Sequence, residues 1–248
     1  MTEQLGLFDG SNAHDPAQTR LNVRESTKAR RLSLRLLPPH TLELVVPRGT
    51  KPSAVQAFVT QHRGWIARAR EEIAASRGAG SDRLPENIEL ASVGRAWEVR
   101  YRHAPALRPR CCVVAELLEV RTRDRDLGSA RAVLRAWLLD QAKAHLPPLL
   151  LRQAQIVGRR PKSVQIRLQK TRWGSCSGSG NISLNAGLLF LDGSLVRYLL
   201  IHELCHLFSL NHSERFWKYV EEFEPDYRVL DRRLTAAWAQ VPLWVHVA

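Results

Sequence analysis

The most informative segment of the chain is Tyr198–Leu207, with the sequence YLLIHELCHL. In an α-helix, side chains four residues apart lie on one face, so His202 and His206 point in the same direction. Two imidazoles placed in this way reach a single Zn²⁺ ion at roughly 2.0–2.1 Å. The apolar neighbours predict a buried helix, and Glu203 projects beside the metal as general base for a zinc-activated water. We therefore expect a zinc hydrolase with one Zn²⁺ per chain.

A catalytic zinc usually has three protein ligands and one open position, so a third ligand is required. His212, ten residues after His202, is the favoured candidate. The spacing HExxHxxxxxH matches the long zinc motif of the metzincins, except that Ser209 stands where that motif has glycine. Leu210 and Asn211 must then make the turn, and asparagine tolerates left-handed backbone better than most residues. The alternative ligand is a carboxylate from the following predicted helix, Glu221 or Glu222.

The front half of the chain alternates between apolar and polar residues and is predicted to be rich in β-structure. Residues 1–20 are polar and irregular, which predicts a disordered tail. A helix begins at Pro52 and ends before Gly78. The strands expected before and after this helix are a hairpin of 31–36 with 41–46, and then 97–103, 111–115 and 118–121.

The second half is predicted to consist of helices around a small sheet. A helix starts near Ser129, and Pro147 and Pro148 kink or end it. The remaining expected elements are strands at 163–168 and 181–185, a glycine- and serine-rich loop at 171–180, and helices from 193 to 239 with breaks at 210–213 and 224–225. This order favours an α+β fold, divided into a β-rich region at 21–125 and a zinc-binding catalytic region at 126–248.

The stretch from Lys170 to Asp226 resembles the YgjP-like metallopeptidase family, a relative of the SprT and WLM groups of zinc peptidases. The motifs that carry the resemblance are RWGSC at 172–176, ISLN at 182–185, HELCHL at 202–207, NHS at 211–213, FW at 216–217 and PDY at 225–227. The resemblance covers most of the chain from about residue 21. It implies a zincin-like catalytic core in which His202, His206 and His212 bind zinc and Glu203 is the catalytic acid and base.

A peptidase also needs a surface that holds an extended substrate. The alternating segment 181–185 is a candidate edge strand that pairs with a peptide, although an interior strand has the same pattern. The candidate substrate-binding residues are Asn181, Ile182, Ser183, Leu184 and Asn185. Arg172 is a candidate oxyanion donor, and Trp173 is expected to pack and so fix the active-site helix.

The net charge of +13 predicts attraction to polyanions such as DNA. The segment at 4–8 resembles the QLxLF peptide with which bacterial DNA-processing proteins bind the replication sliding clamp. Its candidate clamp-binding residues are Gln4, Leu5, Leu7 and Phe8. Together these features suggest a peptidase that acts on DNA-associated proteins.

The chain has no apolar run long enough for a membrane span and no signal peptide, which predicts a cytoplasmic protein with reduced cysteines. Two other functions remain open. The activated water could attack a phosphoanhydride, giving a zinc-dependent nucleotide pyrophosphohydrolase, although no phosphate-binding glycine loop is present. Alternatively, the chain could be a DNA-bound protein with a non-catalytic zinc, although Glu203 would then have no purpose.

Overall fold

The computed structural model describes residues 21–37, 41–67 and 83–246. The chain divides into two compact units at residue 80, so the boundary expected at 125 lies inside the second unit. The clamp-binding segment at 4–8 lies outside the described residues. No helix within the described ranges is both long and apolar enough to cross a bilayer.

The first unit contains a three-stranded sheet and a helix. Its elements are β1 (Leu21–Ser26), β2 (Ser33–Leu37), β3 (Thr41–Pro47) and α1 (Pro52–Gln61). The order is β1-β3-β2, with β2 antiparallel to β3, which confirms the expected hairpin. Strand β1 pairs in parallel with β3 and was not expected, because most of its side chains are exposed and its apolar alternation is short. Leu42 and Ile66 form the small core of this unit.

The second unit begins with a four-stranded sheet. Its strands are β4 (Asn87–Leu90), β5 (Arg95–His103), β6 (Arg110–Val114) and β7 (Leu117–Thr122). They lie in the order β4-β5-β7-β6, with β5 and β7 parallel. Alternate residues of β4, β5 and β7 are buried, since only one face of the sheet meets the core.

The long helix α2 (Leu127–Val157) continues through both prolines, so of the kink or end expected at Pro147 and Pro148 the end is wrong. The two prolines cannot donate to the carbonyls of Lys143 and Ala144. Both of those residues are exposed, so water can satisfy the carbonyls. The opposite face carries the fully buried Ala142, Leu146 and Leu150, and their packing favours an unbroken helix. Gly158 ends the helix with φ +72°, a left-handed conformation that suits glycine.

A second small sheet and three helices complete the unit. The strands are β8 (Ser163–Arg167), β9 (Gly174–Cys176) and β10 (Asn181–Asn185), and the helices are α3 (Gly193–Cys205), α4 (Glu214–Phe223) and α5 (Tyr227–Ala236). The segment expected to be a loop, 171–180, therefore contains a strand. Strand β10 lies between β8 and β9, parallel to the first and antiparallel to the second. The architecture is the expected mixture of small sheets and helices, an α+β fold.

Candidate metal centre

Helix α3 carries two of the three candidate ligands through the middle of the core. Asp192 caps its N-terminus by accepting hydrogen bonds from the amides of Ser194 and Leu195 at 3.0 and 3.1 Å. Nearly every side chain from Leu195 to Cys205 is buried, as the apolar flanks of the motif predict. In the second turn of the helix, Arg197 forms an ion pair of 2.6 Å with the buried Glu224, which ties α3 to the end of α4.

A tight turn after α3 brings His212 back to the helix. The carbonyl of Cys205 accepts hydrogen bonds from the amides of both Phe208 and Ser209, at 3.0 and 3.2 Å. The left-handed conformation expected at Asn211 is absent, since Ala115 is the one non-glycine residue of the described ranges with positive φ. These are ordinary helical hydrogen bonds, and the chain leaves α3 and brings His212 back without a glycine between His206 and His212.

The side chains of His202, His206 and His212 converge, and one ligand nitrogen from each lies within 4.8 Å of the others. The Nε2 atoms of His202 and His212 are 3.1 Å apart. Two nitrogens bound to one tetrahedral zinc are about 3.3 Å apart, so the separation suits a shared ion. The alternative ligands Glu221 and Glu222 are exposed on α4 and do not belong to this cluster.

The protonation of these rings also suits a metal, which binds neutral imidazole. Burial, with the neighbouring His206 and His212, lowers the pKa of His202 to about 3. Burial likewise lowers the pKa of His206. The Nδ1 atom of His206 lies 3.1 Å from the carbonyl of Ser209, so Nδ1–H donates there and Nε2 stays free for an ion. The buried Nδ1 of His202 has no hydrogen-bond partner among the described residues.

Aromatic rings support the cluster. Phe216 stacks on His206 with the centroids 4.4 Å apart and meets His202 and His212 edge-on. The ring of Trp217 lies 5.6 Å from that of His212. His206 is buried and His212 is exposed, so the cluster has one apolar side and one side open to solvent.

Glu203 lies next to the first ligand in a place nearly closed to water, with an exposed fraction of 4%. Its Oε2 atom is buried and has no hydrogen-bond partner among the described residues. Burial raises the pKa of Glu203 to about 8, while the positive charge of Arg172 acts in the opposite direction. A carboxyl group with so high a pKa is a strong base for a carboxylate, and a bound cation would return it to the ionised form.

Gly174 of β9 is a functional neighbour that the sequence did not reveal. A Cβ atom at this position would lie 2.6 Å from Oε1 of Glu203, so only glycine leaves room for the carboxylate. A glycine inside a strand is a sign that another group approaches closely. That sign was hidden, because the segment 171–180 had been expected to be a loop, where glycine needs no explanation.

Hydrogen bonds and stacking fix the strand that carries Gly174. Trp173 is buried, its Nε1–H donates to the carbonyl of Leu234 at 3.1 Å, and its ring stacks on Trp238 at 3.9 Å. The Asn185 amide donates to the carbonyls of Gln169 and Arg172, both at 2.8 Å. Trp173 is thus packed as expected, with its contacts to Leu234 and Trp238.

The expectation that 181–185 is an edge strand is wrong, because β10 is paired on both sides. Ile182 and Leu184 are fully buried core residues, and the Asn185 side chain is engaged within the protein. Asn181 bonds to Ser163 and Ser179, and the Ser183 hydroxyl is buried. Alternation along one strand cannot reveal how many neighbours the strand has.

Comparison with protein families finds that the model of the YgjP-like metallopeptidase domain matches residues 30–237. Among solved structures, the metallopeptidase zymogen abylysin of Pyrococcus abyssi is 31% identical, with a TM-score of 0.34, and the match covers 37% of this chain and 92% of that one. The zymogen jannalysin of Methanocaldococcus jannaschii is 17% identical, with a TM-score of 0.33 and coverage of 37% and 94%. Comparison with curated proteins gives no significant match. The family match spans most of the chain, which therefore belongs to the YgjP-like metallopeptidases, metal-dependent hydrolases of peptide bonds.

Proposed function

We propose that this protein is a zinc-dependent peptidase in which His202, His206 and His212 bind the ion and Glu203 is the general base. One observation carries the proposal: three imidazoles converge beside a buried carboxylate, which lies on the helix that carries two of them. The proposed core is zincin-like, with the motif HExxH on helix α3. A purely structural site would have no use for a buried, unpartnered carboxylate at this position.

The donor set and its surroundings fit zinc. Imidazole nitrogens are ligands that zinc accepts readily, and three of them leave one tetrahedral position for water or substrate. When bound, zinc acts as a Lewis acid that polarises the scissile carbonyl and lowers the pKa of a bound water to about 7. The same donors also suit other divalent transition metals, so the bound metal must be identified by measurement.

Glu203 has the position and the basicity for proton transfer. In the proposed reaction, Glu203 takes a proton from the attacking water and delivers it to the leaving amine, so that a single carboxylate acts first as base and then as acid. Its burial excludes bulk water, which strengthens the proton transfer and prevents competition from solvent. Because Gly174 has no side chain, the carboxylate of Glu203 can occupy the position that a Cβ atom would otherwise block.

Strand β9 replaces β10 as the proposed substrate edge. It is the outer strand next to Glu203. On the side that faces β10, the carbonyl of Trp173 accepts a hydrogen bond from the amide of Asn185, and the amide of Ser177 donates to the carbonyl of Asn181. By the alternation of such ladders, the backbone groups of Gly174 and Cys176 point to the open edge. An extended peptide could pair with these groups and so pass beside the base.

The decisive experiment is the cleavage of an unfolded basic protein by zinc-loaded enzyme and by its Glu203→Gln variant. We expect Glu203→Gln to retain one zinc per chain and to lose nearly all turnover, since the amide cannot accept the proton. The variant Glu89→Gln, which alters an exposed carboxylate on β4, is the matched control and should cleave normally. Full cleavage by Glu203→Gln would refute the assigned base. Zinc binding by a wild type that cleaves no protein would favour nucleotide hydrolysis instead.

We further propose that the substrates are DNA-associated proteins in the cytoplasm. The net charge of +13 supports this, as do the exposed Arg159, Arg160, Lys162 and Arg167 around β8. Clamp docking through Gln4, Leu5, Leu7 and Phe8 remains a prediction from sequence. Single-stranded DNA should stimulate cleavage at low salt and lose its effect at high salt. Equal cleavage with and without DNA at every salt concentration would remove DNA from the proposal.

A further inference from the structure

A shallow groove of about 330 Å³ lies against the histidine cluster and has no role in the chemistry described above. The residues that line it come from α4 and the first turns of α5. They are Trp217, Tyr227, Arg228, Asp231 and Arg232.

Trp217 connects the groove to the candidate metal centre. Its ring centroid lies 5.8 Å from that of His202 and 5.6 Å from that of His212. The same indole stacks on Tyr227, with the centroids 5.1 Å apart and the planes 18° from parallel. Trp217 therefore touches two rings of the histidine cluster and also lines the groove, which places the groove beside the candidate metal centre.

The two arginines give the groove its chemical character. Arg228 and Arg232 are four residues apart on α5, so they lie on the same face of the helix. Arg228 lies over the ring of Tyr227 at 5.5 Å and donates to its hydroxyl at 3.1 Å. Arg232 is exposed and makes no hydrogen bond or ion pair with any described residue. The groove thus holds at least one guanidinium whose donors are available.

The one carboxylate in the lining offsets only part of the charge of the two guanidinium groups. Asp231 lines the groove, but its Oδ1 accepts a hydrogen bond of 2.8 Å from the hydroxyl of Tyr198. Glu221 of α4 also acts electrostatically on Arg228. Within the lining, two guanidinium groups stand against one carboxylate that is already engaged.

We propose that the groove is a specificity subsite for a carboxylate of the peptide substrate, with Arg232 and Arg228 as the groups that recognise it. This inference rests on the proposed peptidase function. A planar guanidinium matches a carboxylate with two parallel hydrogen bonds, and the aromatic floor accommodates the methylene groups that carry it. The carboxylate comes from an aspartate or glutamate side chain or from the C-terminus of the peptide. A lysine or arginine side chain would be repelled by the two guanidinium groups.

The test measures binding and does not need turnover. Zinc-loaded Glu203→Gln protein is titrated with fluorescent alanine-rich peptides that carry one glutamate at each position in turn, and with matched glutamine peptides. Each peptide is made with a free and with an amidated C-terminus, which separates the two sources of the carboxylate. Cleavage of the same peptides by the wild type is followed in parallel.

We expect glutamate at one position, or the free C-terminus, to tighten binding about 10-fold over its neutral counterpart. Arg228→Gln combined with Arg232→Gln should abolish the preference. Arg152→Gln, which removes an exposed arginine of α2 that does not line the groove, should preserve it. Arg232→Glu should turn the preference towards lysine. Unchanged zinc content and circular dichroism would show that the variants fold.

The proposal is overturned if glutamate and glutamine bind equally at all positions and the free and amidated peptides also bind equally. It is also overturned if the preference survives the double substitution, or if none of the peptides binds. A carboxylate preference without any cleavage by the wild type would leave the subsite standing and refute the proposed peptidase.

Discussion

Replacing Gly174 by alanine tests whether Glu203 needs the empty space beside it. The new Cβ would lie 2.6 Å from Oε1 and 2.9 Å from Cδ of Glu203, against ordinary contacts of 3.4 Å or more. The backbone of Gly174 does not have positive φ, so alanine is strained by this contact and not by its own conformation. The carboxylate must therefore move by about 0.8 Å, because the backbone of β9 is held by β10 and the stacked Trp173.

A displacement of this size acts on the rate more than on the fold. A shift of about 1 Å in a catalytic group costs roughly 100-fold in rate, so we expect kcat/KM of Gly174→Ala to fall about 100-fold. Overpacking a core contact costs about 1–3 kcal/mol, which lowers Tm by about 2–4 °C for each kcal/mol in a protein of this size. The three atoms nearest the new methyl group all belong to Glu203, so we expect the zinc content not to change.

The assay compares cleavage rates, bound zinc and Tm for the wild type, Gly174→Ala and Gly178→Ala. The last variant is the matched control, since its Cβ would meet Leu210 at an ordinary 3.4 Å. Activity of Gly174→Ala equal to that of the control would refute the steric reasoning. Loss of zinc together with activity would show that the substitution acts through the metal and not through Glu203.

Three further predictions concern other parts of the second unit. Removing the metal with a chelator should abolish cleavage and lower Tm, because a free ion concentration of 1,000 times Kd stabilises the fold by about 4 kcal/mol. Re-added zinc should restore both cleavage and Tm. An unchanged Tm in calorimetry would argue against a bound ion. Tyr198→Phe removes the 2.8 Å hydrogen bond to Asp231 and should cost about 1 kcal/mol in urea unfolding, whereas an equal midpoint would mean that this bond contributes nothing. Burial raises the pKa of Cys111 to about 12, so little thiolate exists at neutral pH. Iodoacetamide should therefore label Cys111 far more slowly in the folded than in the unfolded protein, and the labelling rate should rise with pH. Equal labelling rates in the two states would contradict the burial.

The ligand set illustrates what can be predicted from local spacing. His202 and His206 are four residues apart on a helix, so helix geometry alone places them side by side. His212 follows six residues after His206. Their convergence was predictable because few residues separate them. The backbone conformation of Asn211 was not predictable, since the chain turns after α3 without positive φ at this residue.

The features that escaped prediction depend on residues distant in sequence. The role of Gly174 depends on Glu203, and the interior position of β10 depends on its pairing with both β8 and β9. The helix through Pro147 continues because its buried face packs on other elements, which local proline chemistry does not include. Sequence rules such as helix propensity describe a segment surrounded by water. Tertiary packing overrides these preferences where the segment is extensively buried.

The long helix α2 determines where this enzyme can be shortened. Its first turns face the four-stranded sheet, where Trp137 meets Trp97 edge-on at 5.2 Å and the carbonyl of Val133 lies 3.9 Å from the thiol of Cys111. A fragment that began at residue 126 would keep every candidate catalytic group, yet it would expose the apolar side chains of Leu134, Trp137 and Leu138 to solvent. Such a fragment would aggregate or recruit a surrogate for the missing sheet. The β-strands at 87–122 are therefore part of the scaffold that keeps this face of α2 buried, and we expect a folded fragment to need them.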